Sequence, residues 1–183
     1  MSWFRRSAQP PPLPAQVRAG LALPRGERLL AHAMLTNGGW VVATSCALVL
    51  VDPVDGPDAG PGTPRARYLW HDVAEATWSP QEHVVDVHWA HSSPAPLRLR
   101  LEDHETFLPE VLRERVMSTY VLSQRVIVRG KRGVTVAIRR HSVDGSLLSQ
   151  AVPDDGVDLG RPQVADEVAS LTRELAAQVG LVL

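Results

Sequence analysis

The 183-residue chain is short of cysteine, lysine, aromatics and long apolar runs, and each scarcity removes a class of protein. Its single cysteine, Cys46, cannot close an intramolecular disulfide, which excludes a secreted disulfide scaffold. The longest aliphatic run, Ala47–Val51, falls far below the about 20 apolar residues that a membrane helix needs. The opening Met1-Ser2-Trp3-Phe4-Arg5-Arg6 lacks the apolar stretch of a signal peptide. A cytoplasmic location with no transmembrane segment is therefore expected. Charge of one sign is also missing: 19 basic against 20 acidic residues leave a net charge of −1 and exclude a globally basic nucleic-acid binder.

Catalytic and ligand motifs are absent as well. The sequence holds no G-x-S-x-G elbow, no P-loop, no G-x-G-x-x-G, no H-E-x-x-H and no C-x-x-C. No cofactor and no metal are expected. His83, His88 and His91 lie close in sequence. On one strand, however, His83 and His91 would stand roughly 26 Å apart, with His88 on the opposite face. Cys46 reads as a small buried packing residue rather than a nucleophile, and the tryptophans read as core rather than as a stacking platform. His71-Asp72 and Asp103-His104 are adjacent pairs, and adjacent strand residues face opposite ways, so neither is expected to act as an acid–base couple.

What is present is a run of short strands. A first helix is indicated by Leu13, Val17 and Leu21 at spacings of four. Residues 27–36 and 40–44 flank Asn37-Gly38-Gly39, a hairpin signal. Ala47 to Asp52 follows as a strand covered on both faces. A loop rich in Gly and Pro over 53–64 precedes strand character at 68–73 and 74–78. Clean two-residue alternation then appears at Val85, Val87, Trp89 and at Leu97, Leu99, Leu101. Helical spacing takes over from Phe107 to Val116. The last third alternates again around a Gly130-Lys131-Arg132-Gly133 turn, then into 147–152. It closes on an amphipathic helix with Val164, Val168, Leu171, Leu175 and Val179 as its stripe.

Seven strands capped by a helix is the order of a pleckstrin-homology-like barrel. Residues 14–118 also resemble bacterial pleckstrin-homology-like, GRAM-like domains in wording: Glu27-Arg28-Leu29-Leu30 opening a strand, Val41-Val42-Ala43-Thr44-Ser45-Cys46-Ala47-Leu48 across a hairpin, and Leu69-Trp70-His71-Asp72-Val73. The whole chain looks like an actinobacterial protein group, a likeness that carries no activity. The resemblance implies an α+β fold. A pleckstrin-homology-like antiparallel barrel or strongly bent sheet with a capping helix over 14–118 is followed by a β-meander and C-terminal amphipathic helix over 119–183, packed on the first part. Pro10-Pro11-Pro12 and the scarcity of apolar anchors lead us to expect a flexible Pro-rich arm over 1–13. Lipid-phosphate binding in such domains uses basic residues around the first hairpin, and here no Lys or Arg lies between Arg28 and Arg65, so a phosphoinositide partner is disfavoured.

The charge map is the sharpest signal. Residues 1–114 carry −3, residues 115–143 carry +7 and residues 144–183 carry −5. The basic stretch comprises Arg115, Arg125, Arg129, Lys131, Arg132, Arg139 and Arg140, with no acid among them. Arg125, Arg129 and Arg139 share the wet parity of the predicted hairpin, with Lys131 and Arg132 at its tip. The candidate partner-binding set is thus Arg125, Arg129, Lys131, Arg132, Arg139 and Arg140. Three functions compete. One is a non-enzymatic binding or scaffold module that engages a protein through this basic hairpin or a sheet edge. A second is association of the same hairpin with nucleic acid or an anionic membrane. The third is an enzyme with no recognisable motif. Against all of them stands a hairpin merely neutralised by Asp154, Asp155, Asp158, Asp166 or Glu167.

Overall fold

A computed structural model describes residues 12–54, 56, 60–91, 95–102 and 106–183. The Pro-rich arm, apart from residues 12 and 13, and the Asp103-His104 pair lie outside the described residues.

Helix α1 (Ala15–Gly20) precedes an antiparallel sheet of β1 (Leu29–Met34), β2 (Trp40–Thr44), β3 (Ala47–Val51) and β4 (Pro64–Leu69) in that order. Asn37 closes the first hairpin, its side-chain oxygen accepting the Gly39 N–H at 3.1 Å. Every residue of β2 and β3 is buried. Two-residue alternation explains this. Val41, Ala43, Leu48 and Leu50 face the main core, while Trp40, Val42, Val49 and Val51 face a second core closed by Val17 and Leu21 at helix α1.

A second antiparallel sheet holds β5 (Val73–Ser79), β6 (Val84–Trp89) and β7 (Leu97–Arg100). Helix α2 (Leu108–Thr119) lies against both sheets, with Leu108, Leu112 and Val116 in the main core. Its Pro109 sits in the first turn, where a missing N–H costs nothing. Residues 68–73 do not make the single strand expected. β4 ends at Leu69, Trp70–Asp72 form one 3-10 turn, and β5 starts at Val73. The buried Trp70 causes the break: its indole donates to the Thr44 carbonyl at 2.9 Å and its backbone N–H to the Cys46 carbonyl at 3.3 Å, which pins the chain as it passes between sheets. Of the expected barrel or strongly bent sheet, a closed barrel does not form among the described residues. The sheets stay open, β4 and β5 parting at this turn, while an isolated bridge, Leu35 to Leu101, joins the other side.

Tyr120 follows α2 directly and opens the third antiparallel sheet, β8 (Tyr120–Arg129), β9 (Arg132–Arg140) and β10 (Leu147–Pro153), in the order β10-β9-β8. Helix α3 (Pro162–Gln178) covers one face, where Val164, Leu171, Leu175 and Ala176 meet Val134, Val136 and Ile138. Burying each leucine of that stripe stabilises by about 1.5–3 kcal/mol. Gly180, at φ 69°, ends the helix. The fold is therefore mixed α+β. Among the described residues no helix is long and apolar enough to cross a membrane.

Candidate functional site

The β8–β9 hairpin turns through Gly130-Lys131, with Arg129 opposite Arg132. Positive φ at Gly130 alone (60°) is the pattern of a type II′ turn, whose twist suits a tight hairpin. Arg129, Lys131 and Arg132 are exposed at this tip, and among the described residues none makes an ion pair. Next to them Gly133 lets β9 press against β8, and its N–H donates to Asp154 Oδ2 at 2.8 Å. The same carboxylate takes the Arg125 guanidinium, which also reaches the Lys131 carbonyl at 3.2 Å. Arg125 and the Gly133 N–H hold the Asp154 carboxyl below its ordinary range, with the field of Arg132 adding to them.

The six basic residues of the candidate set consequently have four different fates. Arg125 is neutralised by Asp154. Arg129, Lys131 and Arg132 form the bare tip. Arg140 is exposed but bonds the Gly145 carbonyl at 3.3 Å at the opposite end of β9, roughly 26 Å from Arg132. Arg139 overturns its expected wet position: it is 0% exposed. The face it occupies is covered by the first part of the chain rather than by water. Its Nε donates to Thr119 Oγ1 at 2.8 Å, and Nη2 to the carbonyls of Trp70 and Val73, each at 2.9 Å. Nη1 reaches Gln150 Oε1 at 3.4 Å, and the guanidinium lies 4.0 Å from the Tyr120 ring centroid. Burial lowers its pKa, with Tyr120 and then Asp72 opposing. Arginine stays charged in proteins, so the cation is held by neutral acceptors and a ring face. Arg115 belongs to α2, where it pairs with Glu114 at 2.5 Å.

Around Arg139 the fold gathers titratable groups that spacing kept apart. His71 and Asp72 meet after all, Nε2 to Oδ1 at 3.7 Å, because the 3-10 turn breaks strand parity. His91 approaches Asp72 at 3.6 Å, the His71 and His141 rings are 4.3 Å apart, and His141 Nδ1 lies 2.9 Å from Asp144. Ser142 Oγ is 3.3 Å from His71 Nδ1, which gives the outline of a hydrolase triad with Asp72. Its bonds also tie two turns together. His71 Nδ1 accepts the Ser142 backbone N–H at 3.3 Å, and Ser142 Oγ accepts the Trp70 N–H at 3.2 Å. This latch ties the turn between β9 and β10 to the 3-10 turn. The hydrogen bonding assigns a neutral His71 with its proton on Nε2.

Burial lowers the His71 pKa from its ordinary 6.5. Asp72 opposes the shift, His141 and Arg139 reinforce it, and Asp144 opposes it. The unfolded chain therefore takes up a proton near pH 6.5 that the folded chain refuses. The stabilisation is complete above that pH and is lost as the pH falls from there toward the folded value. Unfolding free energy measured by urea titration is expected to drop between pH 7.5 and 5.5, and to drop less in His71→Asn, whose amide oxygen can still accept the Ser142 N–H. Equal slopes for the two proteins would contradict the latch.

A cleft of about 770 Å³ lies between β5–β6 and the segment after β10, lined in part by Glu75, His88, His91, Arg132, Asp154 and Asp155. His88 and His91 share it because β6 ends at Trp89 and the chain turns, whereas His83 stacks near Trp78. Among the described residues no group of three or more His, Cys, Asp and Glu side chains is arranged to hold a metal ion. Cys46 is half-buried in the β2–β3 turn rather than fully buried, with Ser45 Oγ 3.7 Å from its sulfur. Trp70 and Trp89 are core residues, the indole of Trp89 donating to the Ala95 carbonyl at 2.8 Å.

No family model, no curated protein and no solved structure matches the chain.

Proposed function

We propose that the protein is a non-enzymatic cytoplasmic binding module that engages an acidic segment of a protein partner through the β8–β9 tip. Residues 14–118 serve as a pleckstrin-homology-like scaffold. The scaffold reading is supported by the order of two antiparallel sheets, β1–β4 and β5–β7, followed by the helix α2 that packs on both. The binding reading is carried by one observation: Arg129, Lys131 and Arg132 are all exposed at one turn, and the neighbouring carboxylate of Asp154 is already engaged by Arg125 and the Gly133 N–H. Among the described residues Arg129 and Lys131 have no ion-pair partner, Arg132 meets only the field of an Asp154 already engaged, and the tip so favours an anionic surface. Their small number and the absence of aromatics between Tyr120 and the chain end disfavour single-stranded nucleic acid, which needs stacking platforms. The first hairpin turn, Asn37-Gly38-Gly39, offers no cation to an inositol phosphate.

Retention on immobilised poly-glutamate tests this. The wild type is expected to bind at low salt, and the R129E/K131E variant to bind about tenfold more weakly, because exposed charges act mainly through steering and salt-sensitive attraction. Both substitutions lie at exposed positions without ion pairs, so folding is preserved. Equal retention of the two proteins overturns the reading. Stronger tip-dependent binding to RNA or to phosphatidylserine vesicles than to poly-glutamate would transfer the tip to those partners.

A further inference from the structure

The outer edge of β8 extends the same site. β8 is ten residues long and pairs with β9 on one side; among the described residues no strand or loop pairs with its other side. Native edges are commonly blunted by proline, by shortness, by bulges or by charged side chains; of the two charges on β8, Arg125 is turned back onto Asp154 and Arg129 lies at the tip end. Here there is no proline, and the register shifts fall at the two ends, between Tyr120 and Leu122 and between Ile127 and Arg129. The stretch from Leu122 to Ile127 between them is regular.

Its side chains are unfinished in a matching way. On the α3 side Val126 and Val128 are only half-buried although they belong to the third core, because no strand lies beyond them. On the other side Ile127 is 55% exposed. An apolar shoulder thus runs along an open row of backbone donors and acceptors and ends at the basic tip.

We infer that β8 takes up an extended partner segment as an added antiparallel strand, with aliphatic residues along Val126 and Val128 and acidic residues at its N-terminal end over Arg129 and Lys131. This rests on the proposed role of the tip. Strand addition draws its affinity from main-chain hydrogen bonds and its selectivity from alternate side chains, and both halves are offered here. Charge complementarity selects the occupant. A second copy of this chain would set a basic hairpin against a strand that carries Arg125 and Arg129 and no acid.

The probe is a labelled nonapeptide of three glutamates followed by alternating valine and threonine, titrated by fluorescence anisotropy. In an added strand only alternate N–H groups bond the edge. N-methylation of one alternate set of residues is therefore expected to weaken binding by tenfold or more, and methylation of the other set by less than threefold. If both sets bind like the unmodified peptide while R129E/K131E still loses poly-glutamate, strand addition is refuted and the tip reading survives. If the tip variant also keeps poly-glutamate, both fall. Concentration-dependent dimerisation of the wild type that the peptide cannot displace would assign the edge to a second copy and overturn the inference.

Discussion

Replacing Arg139 by leucine is expected to cost about 3–5 kcal/mol of folding stability through its unsatisfied acceptors, a large part of the 5–15 kcal/mol typical of a domain. The substitution removes the cation and leaves the carbonyls of Trp70 and Val73, Thr119 Oγ1 and Gln150 Oε1 facing an apolar side chain. Each buried acceptor without a donor costs about 1–3 kcal/mol, offset in part where a neighbour or a water rearranges. Arg139→Lys should recover only a fraction, because an ammonium is a compact charge and cannot reproduce the planar fork that reaches Thr119 on one side and two carbonyls on the other. Urea denaturation followed by tryptophan fluorescence gives the comparison. A loss below 1 kcal/mol for the leucine variant would show that the guanidinium is not what joins the third sheet to the 3-10 turn.

Gly133→Ala is expected to cost about 3 kcal/mol, near the upper end for overpacking, and to weaken poly-glutamate retention as well. A Cβ at this position would sit 2.0 Å from the Val126 carbonyl oxygen, which is backbone and cannot rotate away. Relief requires β9 to move off β8, and that displaces the Gly133 N–H from Asp154 and so loosens Arg125. Gly130→Ala is the control. Gly130 has φ 60° and nothing within 4 Å of a Cβ, so its cost is the left-handed backbone alone, about 1–2 kcal/mol. Thermal melts and retention of both variants separate the two causes. Similar losses for the two would mean that the tip is governed by turn conformation rather than by close strand approach.

Local order was readable from residue patterns because it depends on neighbours. The Asn37-Gly38-Gly39 hairpin, the doubly covered β3, the two-residue alternation in β6 and β7 and the stripe of α3 all follow from periods of two or 3.6. The misreadings share one cause: contacts between distant segments. Residues 68–73 look like one strand until Trp70 finds Thr44. Parity puts Arg125 with Thr135, Ala137 and Arg139 on one face, whereas the register shift after Ile127 pairs Arg129 with Arg132, of the other parity; and parity does not say what covers a face. Ala137, small and apolar on that supposedly wet side, was the available hint. The grouping of His71, Asp72, His91, His141 and Asp144 had no signal, since a 3-10 turn and a β-turn from separate parts of the chain create it. The charge map needed the same correction: the basic and acidic segments meet at Arg125–Asp154, with Arg132 close enough to be felt there, and leave Arg129 and Lys131 without an ion pair among the described residues.

Arg139 also sets an order of events. Its acceptors at Trp70 and Val73 precede it by 69 and 66 residues, and Thr119 precedes it by 20. As the chain emerges N-terminus first, the acceptors at Trp70, Val73 and Thr119 precede the guanidinium, Gln150 follows it by 11 residues, and α3, which seals the opposite face, comes after both. Until then an arginine bound for complete burial is kept in water by its own charge. The third sheet thus has little reason to dock on a first part that has not folded. Burial of this cation is thus favourable only against the assembled acceptors of Trp70, Val73 and Thr119, which makes docking of the third sheet conditional on the fold of the first part.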